Sequence, residues 1–121
     1  MNITPKELLE SAVKILDTKK ADEIVAIEIT NVTIIADYFL ICSANNSTQL
    51  KSLYDELEFK LKEQGITPIR TDGDKEGGWI VLDYGSLIVH IFMREQRDFY
   101  DLERLWADGE KMDISALLTN A

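Results

Sequence analysis

Between Thr4 and Leu16 the apolar residues Leu8, Leu9, Ala12, Val13 and Leu16 recur every three or four positions, which predicts a helix with one buried stripe. Thr4 and Glu7 form a T-x-x-E capping box ahead of it, and Pro5 suits the first helical position. The pattern then changes to strands: "EIVAIEIT" is rich in β-branched residues, and "DYFLICS" is too apolar for an exposed edge. "NVTIIA" between them suits either a turn or a short helix. Asn46 or Ser47 caps a second helix, lined by Leu50, Leu53, Leu57 and Leu61 and stopped at Gly65. "ITPIR" predicts a short strand and "TDGDKEGG" a loop. "WIVLD", a "YGS" turn and "LIVHIF" predict a β-hairpin. In "REQRDFYDLERLW", Phe99, Leu102, Leu105 and Trp106 fall at helical spacing, and "ADGEKMDISALLTNA" is weakly patterned. No repeat or linker intervenes, so the expected fold is α/β, a single domain with a mixed sheet flanked by helices. Its expected bounds are residues 1–107, with 108–121 as a C-terminal tail.

Composition narrows the class. A chain of 121 residues is enough for one domain with a real core. Apolar residues at 45% beside charged residues at 29% fit neither a disordered chain nor a membrane protein. No apolar run approaches the roughly 20 residues of a membrane span, and "MNITPKELLESAV" lacks the layout of a secretory signal, so export is not expected. Cys42 is the only cysteine, which rules out an internal disulfide and suits a reducing compartment. The net charge of -9 and pI of about 4.5 describe a surface that repels phosphate. Between Asp72 and Glu110 the acids outnumber Lys75, Arg94, Arg97 and Arg104, so a basic protein partner fits better than nucleic acid.

The strand–loop–helix passage through Asn46, Ser47 and Thr48 has the layout of an anion cradle, since a helix start offers unpaired N–H groups. A nucleotide-binding enzyme of the nucleotidyltransferase type is therefore the alternative reading. It would need paired metal-binding acids on the next strand. Asp55 and Glu56 lie on the second helix instead, and Asp72 and Asp74 are expected in a flexible loop. That D-G-D loop also lacks the glycine and terminal glutamate of an EF-hand. Cys42 and His90, the only cysteine and histidine, could meet on neighbouring strands as a nucleophile and base. His90 lies in a strand apolar on both faces, however, which suits a buried, hydrogen-bonded imidazole. The pair cannot build a zinc site without several carboxylates. No catalytic residue, metal or cofactor is expected.

"ADYFLIC" (36–42), the helix start at Ser47 and Thr48, "GGWIVLDYGSLIVHIF" (77–92) and "FYDLERLW" (99–106) together resemble the ribosomal silencing factor family, also called the Iojap family. The resemblance covers nearly the whole chain. It implies a nucleotidyltransferase-like α/β fold without the catalytic acids. It also implies binding to ribosomal protein L-fourteen on the large subunit, which blocks joining of the small subunit and lowers translation when nutrients are scarce. Organellar relatives assist large-subunit biogenesis, and members self-associate off the ribosome, so a homodimer is implied. With its first helix beginning at Thr4, the chain resembles a bacterial, cytoplasmic member. Alternation in "WIVLD" places Trp79, Val81 and Asp83 on one face and Ile80 and Leu82 on the other. Trp79 beside acids would anchor a basic surface, with Tyr84, Asp72, Asp74 and Glu76 as its rim. Alternatively, Trp79 packs into the protein's own core. Tyr100, Leu105 and Trp106 are expected in the core or in self-association.

Overall fold

Six strands in the order β3-β4-β5-β2-β1-β6 form one mixed sheet, with two long helices on one side of it. The computed structural model describes residues 3–74, 78–105 and 107–118. In chain order the elements are α1 (Pro5–Thr18), β1 (Asp22–Glu28), β2 (Tyr38–Ala44), α2 (Ser47–Glu63), β3 (Arg70–Asp74), β4 (Trp79–Asp83), β5 (Leu87–Met93), α3 (Arg94–Tyr100), α4 (Leu102–Leu105) and β6 (Glu110–Lys111). A single 3-10 turn follows at Ser115–Leu117.

Both long helices begin on the caps their sequences carry. Thr4 Oγ1 accepts the Glu7 N–H at 3.1 Å while Glu7 accepts the Thr4 N–H at 2.9 Å. Asn46 Oδ1 accepts the Gln49 N–H at 2.8 Å. The apolar stripe of α1 and the four leucines of α2 are all buried. They pack on the inner sheet face made by Ala26, Leu40, Cys42, Ile80, Leu82, Val89 and Ile91. Each fully buried leucine contributes about 2 kcal/mol.

All strand pairs are antiparallel except β2 with β5, which run parallel from Tyr38↔Leu87 to Ala44↔Met93. Lateral partners share a face, so the register defines a second layer on the opposite side: Val25 and Ile27, Phe39 and Ile41, Ile88, His90 and Phe92, then Trp79, Val81 and Asp83. Ile27, Ile29, Ala36, Phe39, Ile41 and Phe92 form a small core of their own there.

One open alternative is settled and three expectations change. "NVTIIA" is a turn, held by the Val32 and Thr33 N–H groups donating to the Ile29 carbonyl. The strand expected over "ITPIR" lies further on, over Arg70–Asp74, where β4 supplies the pairing. Gly73 permits it: its φ of +106° suits glycine, and a Cβ there would overlap the Trp79 carbonyl oxygen. The third helix is broken, because Asp101 takes the left-handed conformation (φ 46°, ψ 54°) between α3 and α4. Finally, residues 108–118, expected as a tail, supply β6 and bury Ile114 in the main core.

Candidate partner-docking face

The sheet face away from α1 and α2 is only partly covered. Its β1–β2 end is closed by α3 through two arginines. Arg94 pairs with Asp22 at 3.1 Å and Glu23 at 3.0 Å. Arg97, buried, donates to the Glu23 carbonyl at 2.6 Å, Ser43 Oγ at 2.8 Å and Glu103 Oε1 at 3.0 Å. The backbone they hold is irregular, with Glu23 at φ 47° where the β1–β2 register shifts. Sequence patterning counts Arg97 as a surface cation. Only the neighbouring polar Ser43 in an otherwise apolar strand hinted at a buried partner.

The β3–β4–β5 end is open, and it collects most of the expected site residues. The register aligns Asp72 with Val81 and His90, Arg70 with Asp83 and Ile88, and the Asp74 backbone with Trp79 and Phe92. Trp79, Val81 and Asp83 are half-buried while Ile80 and Leu82 point into the helix-covered core, as alternation predicts. The two readings of Trp79 both hold a part of it. Its ring stacks on Phe92 with centroids 5.1 Å apart, and its Nε1–H donates to His90 Nδ1 at 3.2 Å, yet the residue is only half-buried.

Tyr84 is not at the rim. Alternation carries it past Asp83 to the opposite face, where it is 9% exposed in the main core and burial raises its pKa. Asp83 is committed locally: Oδ1 accepts the Gly85 N–H at 2.8 Å and Oδ2 pairs with Arg70 at 3.3 Å. Asp72 is exposed and accepts the Gly73 N–H at 2.7 Å. Glu76 and Trp106 lie outside the described residues, as do the side chains of Asp74, Tyr100 and Leu105. Phe99, one of the apolar residues at helical spacing, is 81% exposed.

A shallow pocket of about 350 Å³ opens at the centre of this face, lined by Ile35, Phe39, Arg70, Asp72, Val81, Asp83, Ile88 and His90. The imidazole is 7% exposed, and burial lowers its pKa to about 4. Its Nε2 has no hydrogen-bond partner among the described residues. Ile35 in the pocket wall is 57% exposed. An apolar floor with an exposed aliphatic residue and flanking charges is the composition of a protein-binding surface.

The model of the family described as "Ribosomal silencing factor during starvation" matches residues 2–121. The chain belongs to the ribosomal silencing factor family. A relative named ribosomal silencing factor, from Halalkalibacterium halodurans, is 36% identical, with 94% of this chain and 97% of that protein covered. A mouse protein named for mitochondrial assembly of the ribosomal large subunit is 28% identical over 81% of this chain and 44% of its own length. The crystal structure of a Chromobacterium violaceum protein superimposes with a TM-score of 0.83 at 26% identity, covering 93% of each chain.

Membership makes the chain a ribosome-associated regulator. In this ribosomal silencing factor the cradle at α2 borders a pocket of about 500 Å³ lined by Asn45, Ser47, Gly78, Met93, Arg94, Glu95 and Gln96. Two of its donors are used internally: Asn46 Oδ1 accepts the Gln49 N–H, and Gln49 Oε1 accepts the Asn45 N–H at 2.7 Å. Asp72 and Asp74 do lie on a strand, contrary to expectation. That strand is β3, separated from β2 by β4 and β5, which places it about 14 Å away at ordinary strand spacing. A two-metal centre needs ions about 4 Å apart, and no metal-ligating cluster occurs among the described residues. Cys42 and His90 are not a pair either. Cys42 aligns with Ile91 and His90 with Ile41, so they occupy opposite faces, and burial pushes the thiol up to about 12.

Proposed function

We propose that this protein represses translation by docking the open β3–β4–β5 face on ribosomal protein L-fourteen of the large subunit, sterically blocking the small subunit. Repression of this kind would lower protein synthesis under nutrient limitation in the bacterial cytoplasm. The observation that carries the reading is the convergence of Val81, Asp72, Asp83 and the exposed Ile35 around one pocket, with Trp79 joined to it through His90, on a face that the two long helices leave uncovered. Family membership and the large-subunit name of the mouse relative support the ribosome as the target. The net charge of -9 supports a basic protein contact over direct binding to RNA phosphates. No helix among the described residues is long and apolar enough to cross a membrane.

Co-sedimentation with purified large subunits tests the docking, and a subunit-joining gradient tests the block. The expected result is a stoichiometric complex that excludes small subunits and that isolated L-fourteen competes away. A protein that stays in the supernatant, or that rides on joined ribosomes without shifting them, would overturn the proposal.

A further inference from the structure

The mode of contact can be read one step further, resting on the docking proposed above, from the hydrogen-bonding state of a single imidazole. His90 Nδ1 accepts a hydrogen bond from the Trp79 indole, which is a donor only, so Nδ1 carries no proton. A neutral imidazole then carries its proton on Nε2. That N–H is out of contact with solvent and unpartnered among the described residues, although the residue lines a pocket. A buried donor without an acceptor has lost its water and gained nothing in return. That loss is recovered when docking shifts the pocket wall enough for an acceptor oxygen, which is no smaller than water, to reach Nε2.

The surrounding groups restrict which acceptor. Arg70 is paired with Asp83, and Asp83 is further tied to the Gly85 N–H, so neither offers a free charge to a ligand. The exposed Asp72 uses one oxygen on the Gly73 N–H. Two carboxylates against one compensated guanidinium disfavour an incoming carboxylate or phosphate and favour a cation nearby. The apolar walls Ile35, Val81 and Ile88 suit a side chain or backbone segment of a protein.

We infer that this pocket receives an acceptor oxygen, a hydroxyl, carboxamide or main-chain carbonyl, from a basic protein segment, with His90 Nε2–H as donor and Asp72 contacting an adjacent cationic side chain. His90 is thereby a specificity-determining residue: it distinguishes segments that present an oxygen from equally apolar ones that do not.

Because His90 is the only histidine, selective ¹⁵N-histidine labelling reports one imidazole. In the free protein at neutral pH, the expected spectrum has an unprotonated Nδ1 and a protonated Nε2, and addition of isolated L-fourteen should shift the Nε2–H signal. In co-sedimentation with large subunits, His90→Phe should weaken binding about tenfold, as loss of one buried hydrogen bond does. His90→Gln, which restores an N–H near the same place, should recover most of it. If His90→Phe does not fold, the labelled spectrum and His90→Gln still test the inference. A proton on Nδ1, an Nε2–H signal indifferent to the partner, or folded His90→Phe that binds like wild type would each overturn it. Wild type that fails to co-sediment would remove the docking proposal and this inference together, whereas undiminished binding by His90→Phe removes the inference alone.

Discussion

His90 couples the open face to pH. Its folded pKa is about 4, whereas an unfolded histidine titrates near 6.5, so between those values the unfolded chain binds a proton that the folded chain refuses. Stability from this group is therefore complete above about pH 6.5 and is lost as pH falls toward 4, by about 3 kcal/mol in all. Urea midpoints measured at pH 4.5 and 7 should differ more for wild type than for His90→Gln; equal differences would mean the imidazole already titrates normally. The charges facing it, Arg70, Asp72 and Asp83, are present in both proteins and cancel in that comparison. Trp79 sits beside it, stacked on Phe92 and half-buried, so Trp79→Ala should cost about 2 kcal/mol of stability, below the 3–5 kcal/mol of a fully buried aromatic. The same change should weaken large-subunit binding by about 2 kcal/mol if the half-buried ring is an anchor. A melt and a co-sedimentation titration on the same sample separate the two losses. Charge reversal at Asp83 is a poor probe of the partner, because Asp83→Lys also removes the acceptor that closes the turn at Gly85.

At the scale of elements, the break between α3 and α4 is the feature most open to test. Asp101 occupies left-handed backbone that glycine adopts freely and alanine does not. Asp101→Gly should be neutral or stabilising by up to about 1 kcal/mol, while Asp101→Ala should destabilise by about 1 kcal/mol. If alanine instead stabilises, the two segments prefer one continuous helix. This break was invisible in the sequence, because Phe99 and Leu102 stay at helical spacing across it. The long helices were legible because stripe, cap and stop agree, as at Thr4, Leu8 and Leu16 or at Asn46, Leu50 and Leu61. The β4–β5 hairpin was legible for the same reason, through alternation on both sides of a glycine turn. By contrast β3 runs through "RTDGD", which has no strand-forming character of its own and takes its conformation from the ladder with β4. The two-residue β6 is too short to carry a period. Of the site, alternation in "WIVLD" gave the face correctly. Tyr84 lies off the rim because the chain keeps alternating one residue beyond β4 into the turn; the apolar strand around His90 signals its buried, hydrogen-bonded imidazole, whereas nothing in the sequence next to Arg97 signals that it meets partners on other strands.

The whole molecule carries nine more acidic than basic charges, spread over a compact domain, and a basic partner would meet that field before any side chain docks. Association with large subunits should slow and weaken as salt rises from 50 to about 500 mM, since the Debye length falls severalfold over that range. Binding that is indifferent to salt would locate the affinity in the apolar pocket alone. The one parallel ladder has a consequence of a different kind. It joins β2 to β5, strands from opposite halves of the chain, while the other ladders of the β3–β4–β5 end are built by neighbours in sequence. A seam of that sort must wait for its second strand, because long-range pairing forms only after the intervening chain is closed into a loop. During synthesis α1, β1, β2 and α2 emerge first, with the apolar edge of β2 around Leu40, Ile41 and Cys42 left unpaired until Leu87–Met93 follows. The open face is assembled by the same event, since Phe39 and His90 come from the two sides of that seam. A nascent copy therefore cannot present its docking pocket to the ribosome that is making it until most of its own chain has left the tunnel.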